Sequence, residues 1–325
     1  MQTTWAGRLR CQVFLPDKSE VKFEKRGFWA PDPARQANLE KVGTKFLEGF
    51  AYGMGGRSLP DIESSLEMVE PTFRGFAYEG CSMALAVRDG IAPPFNRHWV
   101  RDLLASRGDA HIYMAYVGVG WAMARLPRVR WRAIEPRDRL LRWLVMDGYG
   151  FHQAYFRTRK YVDGQYQAPI PGWRSDYANQ AVDQGIGRAL WFIHGGRPLD
   201  VAAAVRRFAE PRQVDLWSGV GLAATMAGGC DPEGLAELYQ TADSYRPELG
   251  LGAVFAAKAR HYAGFVPEHT VAAASAFGGL TIEEAVSIAD NGSAIGDVEG
   301  DQPSYEIWRR RIRAELDTTA RSITA

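Results

Sequence analysis

Apolar residues along this chain recur mostly at helical spacing. Leu140, Leu141, Leu144 and Val145 form one such group, and Phe255, Ala256 and Ala257 belong to another. Positions three and four apart share one face of a helix, so these groups predict amphipathic helices. Alternation of period two is rare and runs of Val, Ile and Thr are scarce, so few strands are expected. The punctuation agrees. Asp231-Pro232-Glu233 places a cap and a first-turn proline before a helix at Leu235 to Tyr239. Thr281-Ile282-Glu283-Glu284 reads as a capping box ahead of Ala285 to Ala289.

A second pattern overlies the first. Two small residues one apart recur as Gly80-Cys81-Ser82, Gly118-Val119-Gly120, Gly148-Tyr149-Gly150, Gly185-Ile186-Gly187, Gly219-Val220-Gly221 and Gly250-Leu251-Gly252. Their first glycines stand 38, 30, 37, 34 and 31 residues apart. Helix-pair repeats have periods of about 34 residues. Gly inside a helix costs about 1 kcal/mol relative to Ala, so its repetition needs a packing reason. Close approach of neighbouring helix backbones supplies one. The expected fold is therefore all-α: a solenoid-like array of about six helix-pair repeats over residues 31–290.

Two flanking segments read differently. Residues 1–30 carry no helical period from Arg10 to Phe28 and are expected to be extended along the array. Residues 291–325 form an acidic connector, Asn291 to Pro303, and a last helix, Tyr305 to Leu316, with basic Arg309, Arg310, Arg311 and Arg313. Val162 to Arg174 is the clearest long loop.

Composition narrows the function classes. The chain is 46% hydrophobic and 24% charged, enough for a large core. A net charge of +1 gives no reason to expect a nucleic-acid partner. Cys11, Cys81 and Cys230 are too few and too scattered for a disulfide framework or a zinc site. The longest apolar run, Ile112 to Ala124, falls short of the roughly 20 residues a membrane span needs. A cytoplasmic protein without a metal or other cofactor is expected.

Familiar catalytic signatures are missing: the glycine pairs lack the third glycine of a dinucleotide fingerprint, and no GxSxG elbow or HExxH occurs. The residue before each first glycine runs Glu79, Val117, Asp147, Gln184, Ser218, Leu249, and the one before that Tyr78, Tyr116, Met146, Asp183, Trp217, Glu248. If these helices face a common groove, the two rows form a ladder of acids and rings. Buried acids must be paired, hydrated or functional. They either fix the stacking through partners such as Arg74, Arg142, Arg188 and Lys258, or face a ligand. On the second reading Glu79, Asp147, Asp183 and His152 are candidates for proton transfer. Tyr78, Tyr116, Trp121, Gln184, Trp217, Ser218, Glu248 and Lys258 would then line the groove. His152 stands five residues after Asp147, about 140° round the helix, so the two are not expected to pair.

Several of these stretches resemble the UnbL-type proteins encoded beside enediyne polyketide synthases. The likeness is carried by Glu70-Pro71 with Arg74-Gly75-Phe76-Ala77-Tyr78-Glu79-Gly80, by His111-Ile112-Tyr113-Met114, and by Leu141-Arg142-Trp143 with Asp147-Gly148-Tyr149-Gly150-Phe151-His152. Asp183-Gln184-Gly185, Asp215-Leu216-Trp217-Ser218-Gly219 and Phe255-Ala256-Ala257-Lys258-Ala259-Arg260 extend it, and it covers nearly the whole chain. The resemblance implies an accessory protein of enediyne core formation that binds or processes a linear polyene or polyyne. It also implies the synthase or companion accessory proteins as partners. It assigns no catalytic residues. A helical-repeat scaffold for those proteins, and a stand-alone cyclase or lyase acting on an apolar substrate, remain as alternatives.

Overall fold

The computed structural model describes residues 4–30, 32–91, 98–170, 172–173, 175–294 and 302–324, with the side chains at 175–176 and 319–324 excepted. Among these residues the protein is all-α, with seventeen α-helices and no strand. In chain order they are α1 (Trp5–Phe14), α2 (Phe23–Arg26), α3 (Pro33–Gly55), α4 (Leu59–Glu67), α5 (Pro71–Ile91) and α6 (Trp99–Leu104). Then come α7 (Ile112–Arg125), α8 (Trp131–Ile134), α9 (Trp143–Phe156), α10 (Ser175–Ile193), α11 (Pro198–Arg206) and α12 (Glu210–Ala227). The last five are α13 (Pro232–Ala242), α14 (Arg246–Tyr262), α15 (Glu268–Gly278), α16 (Ile282–Ser293) and α17 (Ser304–Thr324). The starts follow ordinary capping chemistry. Asp231 accepts from Gly234 N ahead of α13, and Thr281 with Glu284 closes the expected capping box of α16.

Seven long helices, α3, α5, α7, α9, α10, α12 and α14, stack on one another in chain order, with shorter helices between most of them. The small-residue pairs make the seams. A Cβ built on Gly118 would lie 2.2 Å from Glu79 O, and one on Gly120 would lie 2.0 Å from Val145 O. The first glycine thus faces the preceding long helix and the second faces the next. Gly148 and Gly150, Gly185 and Gly187, and Gly219 and Gly221 repeat the arrangement, each with a carbonyl within 2.1 Å of the built Cβ. Each first glycine meets the carbonyl of the residue just before the preceding helix's first glycine.

That rule corrects the sequence alignment at both ends. Gly252, not Gly250, meets Ser218 O, at 2.1 Å, whereas Gly250 faces Phe277 and Leu316. The last pair is therefore displaced by two residues, and Glu248 leaves the ladder. At the other end α3 is a seventh member that carries no glycine pair at this register. Its Gly49 meets Ala77 O at 1.8 Å, but the position two residues earlier is Leu47 rather than glycine.

The stack curves until its ends meet. Asn38 Nδ2 of α3 donates to Ala227 O at the end of α12 at 2.9 Å. Arg260 Nη1 of α14 donates to Thr72 O at the start of α5 at 2.7 Å. Both terminal segments cover this closed stack. Residues 4–30 are not extended, contrary to expectation for 1–30: α1, a 3-10 turn at Lys18–Val21 and α2 break them into short helices. The pattern misled because α1 packs through Gly7, against Gly55 O, and leaves Trp5, Leu9 and Val13 facing out. The segment runs on past α9, where Phe28 meets Tyr155 edge to face.

The expected last helix is present and longer than expected, as α17. Its arginines are not a free basic face: Arg309 is buried on Asp215 at 2.6 Å, and Arg310 and Arg313 pair with Glu306. Much of the acidic connector, residues 295–301, lies outside the described residues, as do 171 and 174 of the long loop. No single helix among the described residues is long and apolar enough to cross a membrane.

Candidate functional site

A cavity of about 500 Å3 lies inside the stack, walled by α3, α5, α7, α9 and α10 and covered by the N-terminal segment. Its wall is mostly aromatic and aliphatic. Trp121 stacks at a tilt on Phe46 at 4.5 Å and on Phe151 at 5.1 Å. Phe76, Met83, Tyr155 and Phe192 continue the lining. Towards solvent the cavity ends at Pro16, Glu20, Arg125 and Arg157.

At its inner end stand Glu79 and Arg188. Arg188, on α10, donates to Asp147 Oδ1 of α9 and lies 4.0 Å from Glu79 of α5. Asp147 also accepts from Gln184 Nε2 at 2.8 Å, and Gln184 reaches Tyr305 of α17 at 3.1 Å. Beyond Arg188 is a hollow of about 30 Å3, lined by Asp147, Phe255, Lys258, Tyr305 and Trp308 among others. The early parts of α7 and α9 face this hollow and their later parts face the cavity. Glu79, Arg188 and Asp147 thus form a charged partition between two apolar spaces.

Glu79 stands in an unusual electrostatic setting. Burial pushes Glu79 up to about 7 and the Asp147 charge adds to the rise, while Arg188 and Trp121 pull the other way. The Trp121 indole N–H has no hydrogen bond of ordinary geometry, yet it lies close enough to favour the Glu79 anion. Asp147 is fully engaged by Arg188 and Gln184. A carboxyl titrating near neutrality can both give and take a proton, and Glu79 is the one that faces the cavity. His152 is held down at about 3, by burial first and then by the charges of Arg125 and Arg157. It is neutral at pH 7, and its Nδ1 is buried without a partner. It sits edge-on to Trp121 at 5.4 Å.

The other ladder residues disperse. Asp183 is gripped by Arg212 through two hydrogen bonds, at 2.9 and 2.5 Å, and lines neither space. Tyr78 donates to Glu67 at 2.8 Å and stacks on His111 at 4.2 Å, so it points away from the cavity. Tyr116, Trp217 and Ser218 are buried and line neither space. Gln184 bridges Asp147 and Tyr305 instead of lining a groove. Glu248 stands 4.0 Å from Arg313. Lys258 pairs with Asp290 at 2.6 Å at the edge of the small hollow. Of the suggested partners only Arg188 meets ladder acids, since Arg74 pairs with Glu67 and Arg142 with Glu135. The two rows therefore do not share a channel. A helix turns its successive residues by about 100°, so adjacent rows face different neighbours.

Sequence reasoning missed most of the wall. Leu39, Val42 and Phe46 of α3 and Val21 of the N-terminal segment carried no glycine signal. Phe151 and Tyr155 do follow from spacing: four residues apart on α9, they share the face that holds the cavity. Among the described residues no group of three or more His, Cys, Asp and Glu side chains is placed to hold a metal ion. No curated protein and no solved structure matches the chain. Residues 5–316 match the family described as Protein of unknown function (DUF1702), and the chain belongs to that family.

Proposed function

We propose that this protein is a cytoplasmic accessory protein of enediyne polyketide biosynthesis that holds a linear polyene or polyyne inside the stack. The pathway rests on the resemblance of its motifs to UnbL-type proteins. The ligand class rests on the cavity, which is the observation that carries the proposal. Its volume, about 500 Å3, falls within the roughly 300–1,000 Å3 of small-molecule sites. Its aromatic wall suits a flat conjugated chain, and only Glu79 and Arg188 interrupt the apolar inner end. Where the bound chain is also transformed, Glu79 is the residue placed to move a proton, with Arg188 and Asp147 fixing its surroundings.

The test is conversion and binding of a conjugated polyene by purified protein and by Glu79→Gln, Asp147→Asn and Asp183→Asn. Binding with turnover lost in Glu79→Gln supports a catalyst. Binding with unchanged turnover in every variant removes proton transfer by these acids, and failure to bind removes the ligand reading.

A scaffold for the synthase or its companion proteins is favoured by one feature. Trp5, Leu9 and Val13, four residues apart on α1, are 73%, 48% and 63% exposed. Stable complexes with those proteins that depend on Trp5 and Leu9, together with no small-molecule affinity, would establish it.

A further inference from the structure

We propose that the ligand of the cavity carries an anionic head, which Arg125 and Arg157 hold at the mouth while the apolar chain runs inward toward Glu79. The inference rests on the reading of the cavity as a polyene site and adds the polarity of the ligand.

Arg125 is the last residue of α7, and Arg157 directly follows α9. The Gly120 and Gly148 seam binds these helices side by side, which brings their ends together. Both arginines line the cavity, and both are exposed. Neither has a carboxylate partner among the described residues. Among the described residues Arg125 Nη1 donates only to Phe14 O, at 3.3 Å. The Arg157 side chain makes no hydrogen bond or ion pair among the described residues. The acid at the mouth, Glu20, is already paired with Arg26 at 2.7 Å. The entrance to an apolar cavity is thus left with two uncompensated guanidinium groups.

Two further observations point to a ligand. His152 is only 8% exposed, lines the cavity, and buries Nδ1 with no partner. A neutral imidazole offers one donor and one acceptor nitrogen, and a bound head group would satisfy the orphan. Also, a second hollow of about 310 Å3 shares Ala124 and Arg157 with the cavity. Arg128, Lys160, Tyr149, Tyr161 and Tyr166 are among the residues that line it. Arg157 therefore stands where an apolar space meets a basic, phenolic one. Guanidinium groups hold carboxylate and phosphate oxygens by charge-assisted pairs. A free carboxylate and the phosphates of a thioester-linked carrier arm share that chemistry.

Arginine near a helix C-terminus also complements the helix dipole. That role alone would move stability and leave ligand choice unchanged. The experiment uses parinaric acid, a conjugated polyene acid, with its methyl ester and its coenzyme A thioester, followed by fluorescence on the full chain. The acid or the thioester is expected to bind at least about tenfold tighter than the ester, the size of a charge-assisted pair. Arg157→Ala and Arg125→Ala should abolish the preference and keep ester affinity, with thermal melts confirming the fold. The exposed neighbour Arg159, replaced by Ala, should retain the preference. A thioester advantage lost in Lys160→Ala places phosphate in the second hollow, whereas an acid advantage alone names the carboxylate. Equal affinity for acid, thioester and ester, or a preference that survives both arginine variants, overturns the proposal and leaves the apolar site standing. No binding of any probe overturns both.

Discussion

Two glycines of α5, five residues apart, should respond to the same substitution with opposite signs. At Gly75 an added Cβ would meet Met114 Cγ at 3.6 Å and His111 Nδ1 at 3.8 Å, both ordinary contacts. At Gly80 it would lie 1.9 Å from Phe46 O and 3.1 Å from Phe50 N. Ala is the better helix former by about 1 kcal/mol, so Gly75→Ala should stabilise by roughly 0.5–1 kcal/mol. Gly80→Ala gains the same propensity but must open the α3–α5 seam by roughly 1.5 Å to reach the 3.4 Å of normal contact. The obstacle is backbone, so no side chain can rotate away. Overpacking of this kind costs about 1–3 kcal/mol, and a backbone clash belongs at the upper end, for a net loss of about 2 kcal/mol. Denaturant unfolding followed by circular dichroism reads both signs, with the slope of the transition as a check on the unfolded state. A Gly80→Ala protein as stable as the parent would refute the claim that these seams are backbone contacts.

Further outcomes follow from the partition. Arg188→Met leaves Asp147 and Glu79 buried without their cation and should destabilise by about 3–5 kcal/mol. Adding Asp147→Asn and Glu79→Gln should restore much of that, and unchanged stability of the single variant in urea melts would contradict the pairing. Glu79 binds its proton up to about pH 7 when folded and releases it near 4.5 when unfolded. The folded state therefore holds the extra proton between those values, and unfolding free energy falls as pH rises through that window, by at most about 1.4 kcal/mol per unit. A parallel pH series on Glu79→Gln should lack this slope. Asp183→Asn should lower stability by loosening Arg212, with polyene affinity unchanged by fluorescence titration. A matching loss of affinity would return Asp183 to the site.

What the sequence revealed depended on whether a residue's partner was near in pattern. The glycine pairs were legible because a helical glycine with no turn to make must answer to a neighbouring backbone. The register of the last pair was not: Gly250 and Gly252 look alike in sequence, and only Ser218 O distinguishes them. α3 escaped because Leu47 fills the first-glycine position. Glu79 was legible as a buried acid on an apolar face. Its distinction from Asp183 was not, because the partner that neutralises Asp183 is Arg212, 29 residues away on the next long helix. The N-terminal helices were hidden because α1 turns a glycine inward and its large apolar residues outward, inverting the pattern that marks a helix in a core.

The meeting of first and last helices sets how the molecule comes apart. An open stack sheds its end units one at a time, and what remains keeps its intact seams. Here Asn38 and Arg260 tie the beginning of the array to its final turns. Removing either terminus exposes a flank at the other, and loss of the first helices also strips the cavity of the wall that α3 gives it. A chain of successive stacked units is thereby coupled from its first long helix to its last, and is expected to melt as one body.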